Sequence, residues 1–341
     1  MFAAVQDLPT STLLFDPGKD TYPRFRIPAL ITTTKGTVLA FCEGRKGGRG
    51  LTGDIDLVVR RSSDSGKTWV PLAIALAGDG HTLGNPCPVV DSRDGTIWLA
   101  FTRSHGTDTE EAIVAGTSRE ATRVFVTHSK DDGRTWAKPT DISATCRADN
   151  WTWYGTGPGI GIQLANGRLL IPSYHAEAKT KTYRSHMIFS DDAGKTWKRG
   201  ETVGSHCTEC QVAQRKDGSL LMISRTIQGK QEKTTALSTD GGATWDKPKF
   251  EPALYDPSCQ ASLLRIPGRW LFTHPAGPGR RDLVLRISDD EGRTWGAGRL
   301  LRKGDSQYSS LTLLPDGAIG CLYDCWVDGN YRVFFTRFEL D

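Results

Sequence analysis

Short apolar blocks separated by turn residues recur along the whole chain. Asp56-Leu57-Val58-Val59-Arg60-Arg61 and Thr96-Ile97-Trp98-Leu99-Ala100-Phe101 are typical. Their β-branched and aromatic side chains suit a pleated, half-buried ribbon, and the blocks are bounded by Gly, Asp and Ser. No long segment repeats its apolar positions at helical spacing. The pattern predicts an all-β protein of many short strands.

The polar positions are periodic too. Five octapeptides fit Ser-x-Asp-x-Gly-x-Thr-Trp, beginning at Ser62, Ser129, Ser190, Ser238 and Ser288, and so 48 to 67 residues apart. The composition of this "Asp box" predicts a turn: Ser and Asp bond nearby backbone groups, Gly takes a positive φ, Thr bridges the turn and Trp packs beneath the adjoining strands. A second signal, Asp94-Gly95, Asn166-Gly167, Asp217-Gly218 and Asp316-Gly317, precedes strand-like blocks and predicts another hairpin in each unit. Repeats of this length fit four-stranded antiparallel blades. A chain of 341 residues then holds about six of them, so the expected fold is a single six-bladed β-propeller over 1–341. Its last blade is expected to close by pairing the N-terminal and C-terminal strands, which leaves no open sheet edge.

Composition agrees. Of the 10 Trp, five end Asp boxes, and the 37 Gly and 17 Pro punctuate the strands. With 38% hydrophobic and 24% charged residues the chain has no apolar run of the ~18 residues that span a bilayer. The 43 basic and 39 acidic residues are interspersed, so the net charge of +4 forms no tail or stripe for nucleic acid. An anionic small molecule remains compatible with it. Eight cysteines are too sparse for a disulfide scaffold, and Cys207-x-x-Cys210 lacks the second pair of a zinc site, so they read as buried thiols. No metal or organic cofactor is indicated. The N-terminal residues lack the basic patch and apolar run of a signal peptide, which leaves two compartments open: the cytoplasm, or export under a leader not included in this sequence.

Chemistry is expected on the loops between blades. Tyr22-Pro23-Arg24-Phe25-Arg26-Ile27-Pro28 places an arginine within an apolar strand. Together with the five boxes, Phe25-Arg26-Ile27-Pro28 resembles the signature of the exo-α-sialidases, retaining glycoside hydrolases on a six-bladed propeller. The resemblance covers nearly the whole chain. It implies that Arg26, Arg225 in Leu221-Met222-Ile223-Ser224-Arg225, and Arg280, next to Arg281, form the family's triad. Three guanidinium groups aimed at one point repel one another unless they share a carboxylate. Cys207-Thr208-Glu209-Cys210-Gln211 and Gln307-Tyr308-Ser309-Ser310 match the family's base and nucleophile segments. A tyrosine nucleophile suits a 2-keto sugar acid, whose anomeric carbon bears a carboxylate that repels an attacking Asp or Glu. Phenol is a weak nucleophile near neutrality, so a base is needed, and Glu209 is the candidate. Glu43, Arg45, Asn85 and Tyr154 fall in segments similar to the family's pocket-lining motifs; Trp151, Trp153 and Tyr154 would give an apolar wall for glycerol or acyl substituents, or pack in the core.

One position departs from the family. Six residues after Arg45, where the resemblance places an acid/base aspartate, the residue is Leu51. Three alternatives stay open: Asp54 or Asp56 reaches the site, with Asp54 the candidate; the enzyme works without a side-chain acid or on another ulosonic acid; or the propeller binds a sialylated glycan or related sugar acid without cleaving it. Tyr308 and Glu209 favour an enzyme, since a binder has no use for them.

Overall fold

The computed structural model describes residues 8–47 and 52–340. Antiparallel strands dominate it. Three four-stranded sheets, one five-stranded sheet and one eight-stranded sheet are formed, and they are arranged as a propeller. The first strands of neighbouring sheets touch around the middle. Within each sheet consecutive strands pair as hairpins, as in Cys207–Gln214, Leu220–Thr226, Glu232–Ser238 and Lys249–Tyr255. The eight-stranded sheet is continuous only through one parallel pair, Ile55 with Thr82, between Ile55–Ser62 and His81–Val90. At the other end of the ring, Ser11–Phe15 pairs antiparallel with Asn330–Phe338, closing N-terminus on C-terminus as the sequence predicts.

All five Asp boxes are the expected turns, each leaving the third strand of a unit. In the first, Ser62 Oγ donates to Asp64 Oδ1 at 2.8 Å, Gly66 N–H donates to Ser62 Oγ at 2.9 Å, and Thr68 Oγ1 donates to Asp64 Oδ2 at 2.6 Å. The same three bonds recur in the other four. The tryptophans carry the boxes onto the preceding unit: Trp69 meets Phe335 edge-on at 5.0 Å, Trp136 meets Phe41 at 5.7 Å, and Trp197 meets Trp98 at 5.9 Å. Gly194 shows why the box glycine is fixed, for its φ is 83° and a Cβ there would lie 2.1 Å from Trp98.

The apolar clusters lie between sheets rather than at one centre. All eight cysteines are buried free thiols. Among the described residues two short helices interrupt the strands, Glu110–Ala115 and Ser143–Cys146, neither predicted from periodicity. Among the described residues no helix is long and apolar enough to cross a membrane.

Candidate active site

The strands around the middle are bent where they reach the site. Pairing slips between Arg26 and Ala29, Gly84 and Cys87, Trp151 and Tyr154, and Cys207 and Cys210. Such bulges re-aim side chains. Ile27 (φ 63°), Asn85 (φ 55°), Ser258 (φ 55°) and Arg280 (φ 61°) all occupy the left-handed region. For non-glycine residues this costs about 1–3 kcal/mol each, which only an over-determined surrounding sustains.

The bends open a cavity of about 220 Å³. Arg26, Arg225 and Arg280 line it together with Tyr308 and Glu209, and Glu43, Arg45 and Asn85 line the same space. Tyr308 is the hub. Its hydroxyl donates to Glu209 Oε1 and accepts from Arg225 Nη1 at 3.0 Å. The Arg26 and Arg280 guanidinium carbons stand 5.2 and 5.8 Å from its ring centroid.

Each arginine is held differently. Arg26 Nε donates to Asp324 Oδ2 at 2.9 Å, while the other oxygen of Asp324 accepts the Tyr308 N–H at 2.7 Å. One fully buried carboxylate thereby sets both the first arginine and the tyrosine backbone. Arg225 Nη1 pairs with Glu209 Oε2 at 2.7 Å and its Nε donates to Ser258 Oγ at 3.3 Å. Arg280 donates to Gln307 Oε1 at 3.1 Å and the Ser258 carbonyl at 2.6 Å, and makes no ion pair among the described residues. Ser258 is in turn fixed from below, where the buried pair Lys233–Asp256 (2.9 Å) ties down its loop and Asp256 accepts the Cys259 N–H. Beside Arg26, whose cross-strand partner it is, Glu43 takes two bonds from Arg45, at 2.6 and 3.0 Å, and one from Asn85 N–H at 3.0 Å.

The charges explain the protonation states. Burial, and then the Glu209 carboxylate, push the Tyr308 phenol well above its ordinary value, with Arg225 and Arg280 offsetting part of this. Burial works against the Arg26 charge, but Asp324 and Tyr308 outweigh it and keep the guanidinium protonated. Arg26 Nη2 is buried with no hydrogen-bond partner among the described residues. The cavity thus holds a neutral phenol aimed at a carboxylate, an arginine without a counter-charge and a guanidinium nitrogen awaiting an acceptor. A carboxylate ligand satisfies both arginines.

Two expected site residues lie elsewhere. Tyr154 does not line the cavity; it is fully buried and bonded to His186 Nε2 at 2.9 Å. The bulge between Trp151 and Tyr154 shifts the strand's alternation, so that Trp153 lines the cavity instead. Asp54 is also absent from the lining and is paired with Lys46 Nζ at 3.1 Å. Asp56 is buried against Lys46, Tyr22 and Gly78. Leu51 lies outside the described residues.

Sequence reasoning missed Asp324, Tyr174, Ser258 and Glu110. Glu110 lines the cavity from the start of its short helix, and burial with the neighbouring Glu111 raises its carboxyl. Its one sequence signal is Thr109, which caps Glu110–Ala115 through the Ala112 N–H, with Gly116 closing the other end.

The chain is similar to proteins already known. The BNR repeat-like domain family matches residues 36–321. A sialidase of Bacteroides fragilis is 30% identical over 90% of this chain and 61% of its own length. A sialidase of Micromonospora viridifaciens is 31% identical over 93% and 52%. An exo-alpha-sialidase of Aspergillus fumigatus is 33% identical over 93% and 84%. The chain therefore spans little more than half the length of the first two. Among solved structures, the Hadza microbial sialidase Hz136 superposes with a TM-score of 0.88 at 29% identity, over 97% of this chain and 68% of that one.

Proposed function

The chain belongs to the sialidase family of BNR-repeat proteins, and on that premise we propose that it is a retaining exo-glycosidase. Its substrate on this reading is a glycan ending in α-linked sialic acid or a closely related nonulosonic acid. The observation that carries the reading is the convergence of Arg26, Arg225 and Arg280 on the Tyr308–Glu209 pair, with Arg280 lacking a counter-charge among the described residues. The three arginines bind the substrate carboxylate and thereby fix the anomeric carbon against Tyr308. Glu209 takes the phenol proton as the Tyr308 oxygen forms its bond to that carbon and the aglycone oxygen leaves, through an oxocarbenium-like transition state. Water then displaces Tyr308, its spare proton passing through solvent to the departed aglycone anion, while Tyr308 recovers its own proton from Glu209, and two inversions give net retention. Asp54 is tied to Lys46 and Leu51 carries no proton, so neither assists departure on this reading. Turnover should therefore be fastest with aryl leaving groups that depart as stable anions.

The fold reading is part of the proposal. Dividing the eight-stranded sheet at its lone Ile55–Thr82 pair yields two four-stranded units, and the ring then counts six blades in one domain.

The test is hydrolysis of aryl α-glycosides of nonulosonic acids, with the anomer of the first product followed by NMR. Release of the α-anomer that disappears in Tyr308→Phe is expected. No release, with ligand binding that Arg26→Ala abolishes, would make the protein a lectin.

A further inference from the structure

Glu209 and Tyr308 meet across a gap that no strand pairing spans. Glu209 stands on Cys207–Gln214 and Tyr308 directly precedes Ser309–Leu313, in a different sheet. Ser262–Ile266, from a third sheet, touches both strands. A base and a nucleophile in contact therefore need their backbones held at a fixed spacing by something other than a ladder.

Two buried glutamines reach across this gap. Gln260 is 1% exposed. Its Oε1 accepts the Ser309 N–H at 3.0 Å, and its Nε2 donates to the Ser309 carbonyl at 3.0 Å and the Pro158 carbonyl at 3.1 Å. Both amide hydrogens and the oxygen are engaged, so the residue next to Tyr308 is held by its N–H and its carbonyl together. Gln211, two residues after Glu209, is buried as well. Its Nε2 donates to the same Pro158 carbonyl at 3.2 Å and to the Cys210 carbonyl at 2.9 Å, and its Oε1 accepts the Ile160 N–H at 3.4 Å. On the other side of Glu209, Ser185 Oγ donates to the Thr208 carbonyl at 2.6 Å. Where the strand pairing slips, side chains thus hold the carbonyls on either side of Glu209. Gly159 lets the Pro158 segment come this close, for its φ is 124° and a Cβ there would lie 2.7 Å from Gln211 Nε2.

We propose that Gln211 and Gln260, joined at the Pro158 carbonyl, are positioning residues that set the spacing between the Glu209 carboxylate and the Tyr308 hydroxyl. The inference rests on the proposed roles of that pair. Among the described residues both amides bond only to backbone groups and not to Arg26, Arg225 or Arg280. The bridge therefore acts on proton transfer and attack, and leaves capture of the substrate carboxylate to the arginines. Glu209 takes the phenol proton only within hydrogen-bond reach, about 2.6–3.2 Å, and a misplacement of about 1 Å can cost about 10²-fold in rate.

The experiment uses Gln260→Met and Gln211→Met, which keep an unbranched side chain and lose the amide. Each should lower kcat on an aryl α-glycoside of a nonulosonic acid by about 10- to 100-fold, with KM and the affinity for the free acid within about two-fold of wild type. In a Glu209→Gln background, where no base remains to be aligned, the same substitutions should cost less than about three-fold. Crystal structures of the two variants should show the Tyr308 hydroxyl and the Glu209 carboxylate drawn more than about 3.2 Å apart. A loss confined to KM, an equal loss of kcat with and without Glu209, or an unchanged Tyr308–Glu209 contact would overturn the bridge. If one variant does not fold, the other decides, since the two act on opposite ends of the bridge. Failure of the wild type to hydrolyse such glycosides would instead count against the hydrolase reading, and the crystal structures would still decide the bridge.

Discussion

Asp324 is the most informative residue to perturb, because one carboxylate holds Arg26 with one oxygen and the Tyr308 N–H with the other. In Asp324→Asn one oxygen becomes an NH₂. Whichever way the amide is turned, it presents a donor to a donor, either the Arg26 Nε–H or the Tyr308 N–H. Arg26 is then a buried cation, 6% exposed, whose Nη2 already lacks a partner. Breaking a buried pair from one side costs about 3–5 kcal/mol. An unfolding entropy of about 2.1 cal/mol/K per residue comes to roughly 0.7 kcal/mol/K for this chain, so the midpoint should fall by about 4–7 °C. The assay is thermal unfolding by circular dichroism, with calorimetric binding of a free nonulosonic acid alongside. Binding should weaken by about 10-fold or more, as the clamp loses its aim. Removing both charges in Arg26→Met with Asp324→Leu should recover part of the stability and none of the binding. A midpoint within 1 °C of wild type, or wild-type affinity in Asp324→Asn, would refute the assignment of Asp324 as the shared anchor.

Other expectations follow from the same geometry. Glu209→Gln leaves the Tyr308 phenol without a base and should lower kcat by about 10² to 10⁴ on aryl substrates, read by initial rates. Leu51→Asp should raise turnover most on substrates with poor leaving groups; no change would mean that position 51 is not where this protein accepts an acid. The threonine hydroxyl bonds of the Asp boxes hold Asp64 and Asp192 at about 2, below the ordinary 3.8. Because the folded values are the lower ones, this stabilisation is complete above pH ~4 and lost as pH falls through ~2. Melting temperatures between pH 5 and 2 should show it, with a shallower fall in Thr68→Val combined with Thr196→Val.

Much of the molecule was legible because its repeats are local. Each Asp box closes its own turn within eight residues, so five copies announce the fold without any long-range information. Arg26, Glu209 and Tyr308 sit in short distinctive segments and were equally readable. Asp324 was not. It follows an ordinary strand sequence, and only the pairing of Ile319–Val327 beside Ser309–Leu313, with Arg26 some 300 residues away, gives it a task. Tyr154 shows the converse. Its segment is recognisable, yet a bulge three residues long decides which of Trp153 and Tyr154 faces the cavity. Asp54 sits at a plausible distance along the chain, but Lys46 takes its carboxylate.

The central claim is that Tyr308, held by the arginines and served by Glu209, attacks the anomeric carbon. Intact-mass and peptide mapping of protein mixed with an activated 3-fluoro nonulosonic acid, whose glycosyl-enzyme hydrolyses slowly, tests it most directly. The account predicts one sugar per chain, attached at Tyr308 and absent in Tyr308→Phe. Turnover of an aryl glycoside with no adduct, or an adduct at any other residue, would contradict it.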